Sequence, residues 1–136
     1  MINFKLGEIK DIANAFNTII NNEISMQLSW QLSEILFEII EKEKLYNHKH
    51  QEIVERCAEK DDKGQIIFTE DKKGVKIQKD KIEKYTNLIK ELNDINISLD
   101  ESPILLKDLI KEEIKISPVN LYILRNFITK EYDNCN

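Results

Sequence analysis

Apolar residues recur at helical spacing over one long stretch, from about residue 26 to residue 58, which no Gly or Pro interrupts. Steps of three and four residues place these side chains on one face of a helix. The stripe consists of Leu28, Leu32, Ile35, Leu36, Ile39, Tyr46, Ile53 and Cys57. At 1.5 Å per residue such a helix is about 50 Å long, which exceeds the width of a small domain. We therefore expect one of its ends to project from the core.

The two halves of this helix differ in character. Residues 28–40 are apolar on more than one face, with Trp30 and Phe37 off the main stripe. We expect the first and last helices to bury this half on several sides. Beyond Glu41 charged residues dominate and the stripe narrows, which is typical of a helix that pairs with one partner helix. The sequence thus predicts an arm.

Shorter elements flank the long helix. Alternating apolar residues predict strands at residues 2–6 and 95–99, which we expect to pair. Helical periodicity predicts a helix over residues 8–20, which Asn21-Asn22 would end. A further helix over residues 82–92 has coiled-coil spacing and should pack antiparallel against the distal half of the long helix.

Capping and turn residues mark the element boundaries. Ser25 is a candidate N-cap for the long helix, and Asp80 with Glu83 resembles a capping box for the helix over residues 82–92. Ser117-Pro118 predicts the start of a last helix. Two short extended segments, residues 65–69 and 74–77, predict a hairpin at the tip of the arm.

These elements together predict a mostly helical α+β fold. A long helix pairs antiparallel with a second helix as an arm, a short β-hairpin forms the tip of the arm, and a small two-stranded sheet with N- and C-terminal helices packs at the base. The chain forms one domain, with its base at residues 1–40 and 95–132 and its arm at residues 41–94. The predicted core consists of Phe16, Leu28, Trp30, Leu32, Ile35, Leu36, Ile39, Leu121, Leu124 and Phe127.

Composition narrows the class of protein. The chain has 136 residues, which suits a single domain, and a net charge of −5 with a pI near 5.2. This acidic balance disfavours the broad positive surface of a nucleic-acid binder. Nothing approaches the roughly 18 apolar residues of a membrane span. We expect a cytoplasmic protein whose two cysteines, Cys57 and Cys135, are free thiols.

Candidate catalytic and metal-binding residues do not form a recognisable motif. His48 and His50 are two positions apart on a predicted helix, so they point about 200° away from each other and cannot share a metal ion as residues at i and i+4 can. Paired carboxylates, such as Glu38 with Glu41, lie in charge-rich segments where we expect solvated surfaces. The sequence predicts no enzyme, no cofactor and no metal site.

The predicted hairpin contains the one local run of basic residues. We take one aromatic residue and four lysines as the candidate partner-binding site: Phe68, Lys72, Lys73, Lys76 and Lys79. The run continues to Lys81 and Lys84, and an aromatic side chain beside lysines is also a feature of single-stranded nucleic-acid binding. However, interspersed acidic residues offset most of this charge, which favours a protein-facing surface.

A set of short motifs runs along the chain: Phe4-Lys5-Leu6-Gly7-Glu8, residues 28–43, Glu59-Lys60-Asp61-Asp62-Lys63-Gly64-Gln65, Lys84-Tyr85, Glu91-Leu92, Pro103-Ile104, Lys107-Asp108-Leu109, Ile116-Ser117-Pro118 and Leu121. In these motifs the chain resembles an uncharacterised family of small phage and prophage proteins from Gram-positive bacteria, a domain of unknown function. The resemblance covers nearly the whole chain and is most specific in the segment from Pro103-Ile104 to Leu121. A phage source implies a virion or assembly component, or an accessory protein acting on the host, and no catalytic residue.

Three functions remain open on these grounds. The first is an accessory protein that binds a host or phage protein, for example as an inhibitor of host defence, through the arm and its hairpin. The second is a virion structural or assembly module that forms a homo-oligomer, which needs a second apolar stripe. The third is a nucleic-acid binder acting through the hairpin lysines, which needs net positive charge. A projecting, charge-patterned arm favours the first, because charges set the specificity and rate of protein association.

Overall fold

The structure, a computed structural model, describes residues 1–20 and 23–131. The predicted helix stop at Asn21-Asn22 and the thiol of Cys135 lie outside these residues. In chain order the elements are β1 (Ile2–Lys5), α1 (Ile9–Ile20), α2 (Met26–Cys57), α3 (Ile82–Asn93), β2 (Asn96–Leu99), β3 (Ile104–Leu105), α4 (Leu106–Lys111), α5 (Pro118–Ile123) and β4 (Ile128–Thr129). Short 3-10 turns at Leu6–Glu8 and Lys79–Lys81 precede α1 and α3. The mostly helical α+β fold with a long helix is therefore confirmed.

Helix α2 is the longest element, with 32 residues and a length of about 48 Å. It begins at a Ser25 N-cap, whose hydroxyl oxygen accepts the Leu28 N–H at 3.3 Å. The proximal half packs against α1 and buries the predicted stripe of Leu28, Leu32, Ile35 and Ile39. The periodicity therefore located the buried face of this half of the helix.

The distal half of α2 pairs with α3, as predicted. Near the C-terminal end of α3, the Tyr46 hydroxyl donates to the Asn93 side-chain oxygen at 2.9 Å. Just before its N-terminal end, the Lys81 ammonium donates to the Arg56 carbonyl at 3.0 Å. Because Tyr46 precedes Arg56 and Asn93 follows Lys81, the two helices run antiparallel. Together they form the arm.

The base is completed by the small sheet and by the C-terminal segment. Strands β1 and β2 pair antiparallel, with Ile2 opposite Leu99 and Phe4 opposite Ile97, as predicted. Phe127 is fully buried, and its ring centroid lies 5.5 Å from that of Phe4 and 6.0 Å from that of Phe16. Strands β3 and β4 add a short parallel pair that the sequence did not predict. The C-terminal segment thus packs against both β1 and α1 through Phe127 and completes the core.

Several predicted details are wrong. Trp30 is 66% exposed and Leu121 is 42% exposed, although both were placed in the core, and Leu36 is only partly buried. Helix α5 ends at Ile123, and the fully buried residues of this segment, Leu124 and Phe127, lie after its end. Neither α3 nor the 3-10 turn before it has a side-chain cap hydrogen bond, which contradicts the predicted capping box at Asp80 and Glu83.

We expect Ile35→Ala to lower the free energy of unfolding by about 2–5 kcal/mol, because a fully buried isoleucine leaves a cavity when truncated. Phe37→Ala, two residues further along the same helix, is the matched control. Its side chain is 62% exposed, so its loss should stay within about 0.5 kcal/mol. Urea denaturation followed by circular dichroism measures both. Equal losses would contradict the assignment of inner and outer faces.

A second prediction concerns the contact between the 3-10 turn before α1 and the end of α3. A Cβ added at Gly7 would lie 2.7 Å from the Cβ and 3.0 Å from the Cα of Asn93, the residue that accepts the Tyr46 hydrogen bond. Gly7→Ala should therefore destabilise the protein by about 1–3 kcal/mol through overpacking. Gly74→Ala is the control, since its Cβ would lie 3.8 Å from the nearest atom. A smaller effect at Gly7 than at Gly74 would contradict this close approach.

Candidate functional site

The tip of the arm, defined here as residues 58–78, consists of three extended segments rather than a simple hairpin. Isolated antiparallel bridges join Ala58 to Ile77, Lys60 to Ile66, and Phe68 to Val75. The bridge at Phe68 confirms pairing between the two predicted strands. The segment directly after α2 forms the third member, and the sequence did not predict it to be extended.

Three backbone hydrogen bonds close these segments into a ring. Glu59 N–H donates to the Lys76 carbonyl at 2.8 Å, and Lys76 N–H donates to the Ile67 carbonyl at 2.9 Å. Ile67 N–H donates to the Glu59 carbonyl at 2.9 Å, which completes the ring. Each segment therefore pairs with both of the others, and none of the three has an unpaired edge. A ligand strand cannot extend this ring as it would extend an open sheet edge, so the tip offers side chains rather than free backbone groups to a ligand.

Aspartate carboxylates fix both loops of the tip. In the first loop, Asp61 Oδ1 accepts the N–H groups of Lys63 and Gln65, each at 2.9 Å, and Gly64 adopts a φ of 77°. Positive φ is a conformation that glycine adopts without steric cost. An Asp side chain that bonds the backbone two residues on is a common turn device. Asp61 is one of the acidic residues that offset the positive charge of the hairpin lysines, and it also holds the first loop in shape.

The second loop, residues 69–74, carries two of the candidate lysines. Asp71 Oδ1 accepts the Thr69 hydroxyl and, at 3.1 Å, the Lys73 N–H. These two hydrogen bonds lower the pKa of the Asp71 carboxyl below its ordinary value. Lys72 has a φ of 59°, a left-handed conformation that is uncommon outside glycine. The loop is therefore held in one shape by its own polar groups.

The candidate binding residues occupy two parts of the tip. Phe68 is 59% exposed, and the segment that contains it is bonded to that of Lys76, whose ammonium lies 3.9 Å from Glu59. Lys72 and Lys73 lie on the neighbouring loop and form no ion pair with any residue that the structure describes. Lys79 lies apart at the root of the tip, after Gln78, which bonds to Cys57. The first four residues therefore share one end of the molecule.

The two histidines lie on different sides of the arm. His48 is exposed and its Nε2 lies 3.0 Å from Glu52. His50 is half-buried, and its ring stacks on Tyr46 with the centroids 5.9 Å apart. Burial and the nearby Lys10 charge lower the pKa of His50. Within residues 1–20 and 23–131, no group of three His, Cys, Asp or Glu side chains is arranged to hold a metal ion.

A second exposed surface was missed by the sequence reasoning. Four large apolar residues on the proximal half of α2 face solvent: Met26, Trp30, Phe37 and Ile40. We call this set the outer stripe. At about 100° per residue, these positions fall within a sector about 80° wide, on the side of the helix opposite Leu32 and Ile35. The spacing of Trp30 and Phe37 away from the main stripe was the available signal, and it was interpreted as burial.

Carboxylates flank the outer stripe. Trp30, Ser33, Glu34, Phe37, Glu38 and Glu101 line a shallow cleft, and the Trp30 indole N–H donates to Glu34 Oε1 at 2.7 Å. Glu101 belongs to the loop between β2 and β3, beside Asp100. Loss of hydration and the negative charges of its neighbours, Glu34 first, raise the pKa of the Glu101 carboxyl. The cleft therefore combines aromatic surface with crowded negative charge.

No protein-family model, curated protein or solved structure matches this chain. Among the described residues, no helix combines the length and apolar content that crossing a bilayer requires. The candidate sites therefore rest on the geometry of this chain alone.

The hydrogen bonds of the second loop predict a pH effect. We expect Asp71 to titrate below the ordinary range of an aspartate, and Thr69→Val to raise its pKa, because the main hydrogen-bond donor is lost. The stabilisation that Asp71 gives the loop is present above its ordinary pKa and is lost as the pH falls through the lowered value. An NMR titration of the Asp71 carboxyl measures this. Thr86→Val, at an exposed position of α3, is the control, and equal pKa values in both variants would contradict the assigned contact.

Proposed function

We propose that this protein is a non-enzymatic protein-binding protein that recognises its partner with the tip of its arm. One observation carries the proposal: a ring of three extended segments presents exposed Phe68 and three nearby lysines at the end of paired helices. Aromatic side chains are enriched in the cores of protein interfaces, where a few residues contribute most of the binding energy, and charged groups around them set orientation and specificity.

The rigidity of the tip favours recognition of a specific partner. Its ring and its two aspartate-fixed loops hold the side chains in place before binding. A partner therefore does not have to order this backbone, and the entropy cost of association is reduced. The lysines of the second loop are free to form ion pairs with acidic groups of a partner, which would accelerate association.

The charge balance of the tip disfavours the nucleic-acid alternative. Residues 59–81 contain seven lysines and six carboxylates, whereas binding to a phosphate backbone is driven by net positive charge. The resemblance to small phage and prophage proteins supplies the setting of the proposal, in which the partner is a host or phage protein. An inhibitor of host defence is one function of this kind.

The proposal is tested by affinity capture from a Gram-positive host lysate. The variant carries Phe68→Ser, Lys72→Glu and Lys73→Glu, and all three side chains are exposed, so the fold should persist. We expect the wild type to retain a specific partner and the variant to lose at least about nine-tenths of it, since hot-spot aromatics and charge reversal each cost well over 1 kcal/mol at an interface.

Lys107→Glu combined with Lys115→Glu is the matched control. These lysines are exposed at the base, and the double variant has the same net charge as the tip variant. If both variants lose the partner equally, the overall charge determines binding and the tip is not the recognition surface. The same conclusion follows if the tip variant retains the partner. Circular dichroism melting of each variant separates lost binding from lost folding.

A further inference from the structure

We propose that the outer stripe of α2 is a second docking site, independent of the tip, for an amphipathic helix that carries basic residues beside its apolar face. The outer stripe lies on the proximal half of α2, whereas the tip begins after the C-terminal end of that helix. About 27 Å of helix, at 1.5 Å per residue, separates Ile40 from Ala58. This inference does not depend on the function proposed for the tip.

The apolar surface is too continuous to be a chance exposure of single residues. Met26, Trp30, Phe37 and Ile40 follow one another at steps of four, seven and three along α2, and Ser33 between them is small and exposed. Trp30 and Phe37 are among the most exposed apolar side chains of the described residues. An uncovered row at helical spacing suits an incoming helix with its own row of apolar anchors. The stripe is about four helical turns long.

Charge selects the occupant. Glu34 and Glu38 flank the stripe on α2, and Glu101 flanks it from the β2–β3 loop, where Asp100 adds negative charge beside Glu101. None of these carboxylates forms an ion pair with a described residue. A partner with lysines or arginines beside its apolar row would compensate this negative charge, and complementary potentials also steer association.

The same charges disfavour other occupants. A two-fold dimer brings each surface patch against its own copy, so both sets of carboxylates would meet in one interface. The tip of another copy is not helical, and its charges nearly balance. An anionic membrane surface would be repelled. A basic amphipathic helix is the occupant that satisfies both the apolar row and the flanking charge.

Trp30 makes the proposal directly measurable, since it is the only tryptophan of the chain. The full chain is titrated with a tryptophan-free synthetic peptide of about four helical turns, with leucines on one face and lysines beside them. The first comparison peptide replaces each lysine with glutamate, and the second replaces each leucine with serine. We expect only the leucine–lysine peptide to shift the Trp30 emission to shorter wavelength, because only that peptide covers the indole.

Two variants of the protein test the residues involved. Phe37→Ser, and the pair Glu34→Gln with Glu38→Gln, should each weaken peptide binding by about fivefold to tenfold. Glu83→Gln with Glu91→Gln is the matched control, because these exposed residues of α3 change the net charge by the same amount. Binding to this control should equal that of the wild type.

Each contrary result would overturn the proposal. Equal shifts with the lysine and glutamate peptides would mean that charge does not select the occupant. Equal weakening by the two glutamine pairs would mean that the peptide responds to net charge alone. A concentration-dependent shift of the Trp30 emission without peptide would assign the stripe to a second copy of the chain. If no peptide shifts the Trp30 emission, the outer stripe is not a docking site for a helix of this kind.

Discussion

The length of α2 is the constraint on which the structure depends. A helix of 32 residues cannot be enclosed by a single core in a chain of 136 residues, because small domains bury only part of their surface. The base covers one face of its proximal half, and α3 covers one face of its distal half. Two regions consequently remain open to solvent: the outer face near Trp30 and the far end beyond Cys57. Both candidate interaction sites follow from this incomplete enclosure.

Much of this architecture could be predicted from residue spacing. The inner stripe of α2, its pairing with α3 and the pairing of β1 with β2 follow from periods of 3.6 and 2. The exposure of Trp30 could not be predicted in this way, because periodicity identifies an apolar stripe but does not show whether another element covers it. Local sequence did not predict the extended conformation of residues 58–60, which lack the alternating apolar pattern of a strand. Hydrogen bonds to two other segments of the tip hold these residues extended. Of the two candidate surfaces, the sequence predicted the tip as an exposed feature but did not predict the outer stripe.

The two sites differ in how they are built. The tip obtains its shape from hydrogen bonds within residues 58–78, and its carboxylates mainly serve as internal acceptors. The outer stripe obtains its shape from the backbone of α2, and its flanking carboxylates form no ion pair with a described residue. Local variation at the tip therefore changes the loop structure and the binding surface together, whereas the side chains of the stripe are free to vary without altering the fold.

The closure of the core by Phe127 has a consequence for synthesis of the protein. Ile2 pairs with Leu99, and Phe4 packs against Phe127, so β1 obtains its partners only after residues 96–127 have left the ribosome. The arm, in contrast, is formed from neighbouring parts of the chain, and local contacts form faster than distant ones. We expect the arm and the packing of α1 on α2 to form during translation, while the apolar face of β1 and the side of Phe16 that meets Phe127 stay uncovered. The nascent chain is therefore most exposed to aggregation and to chaperones before residues 95–131 emerge.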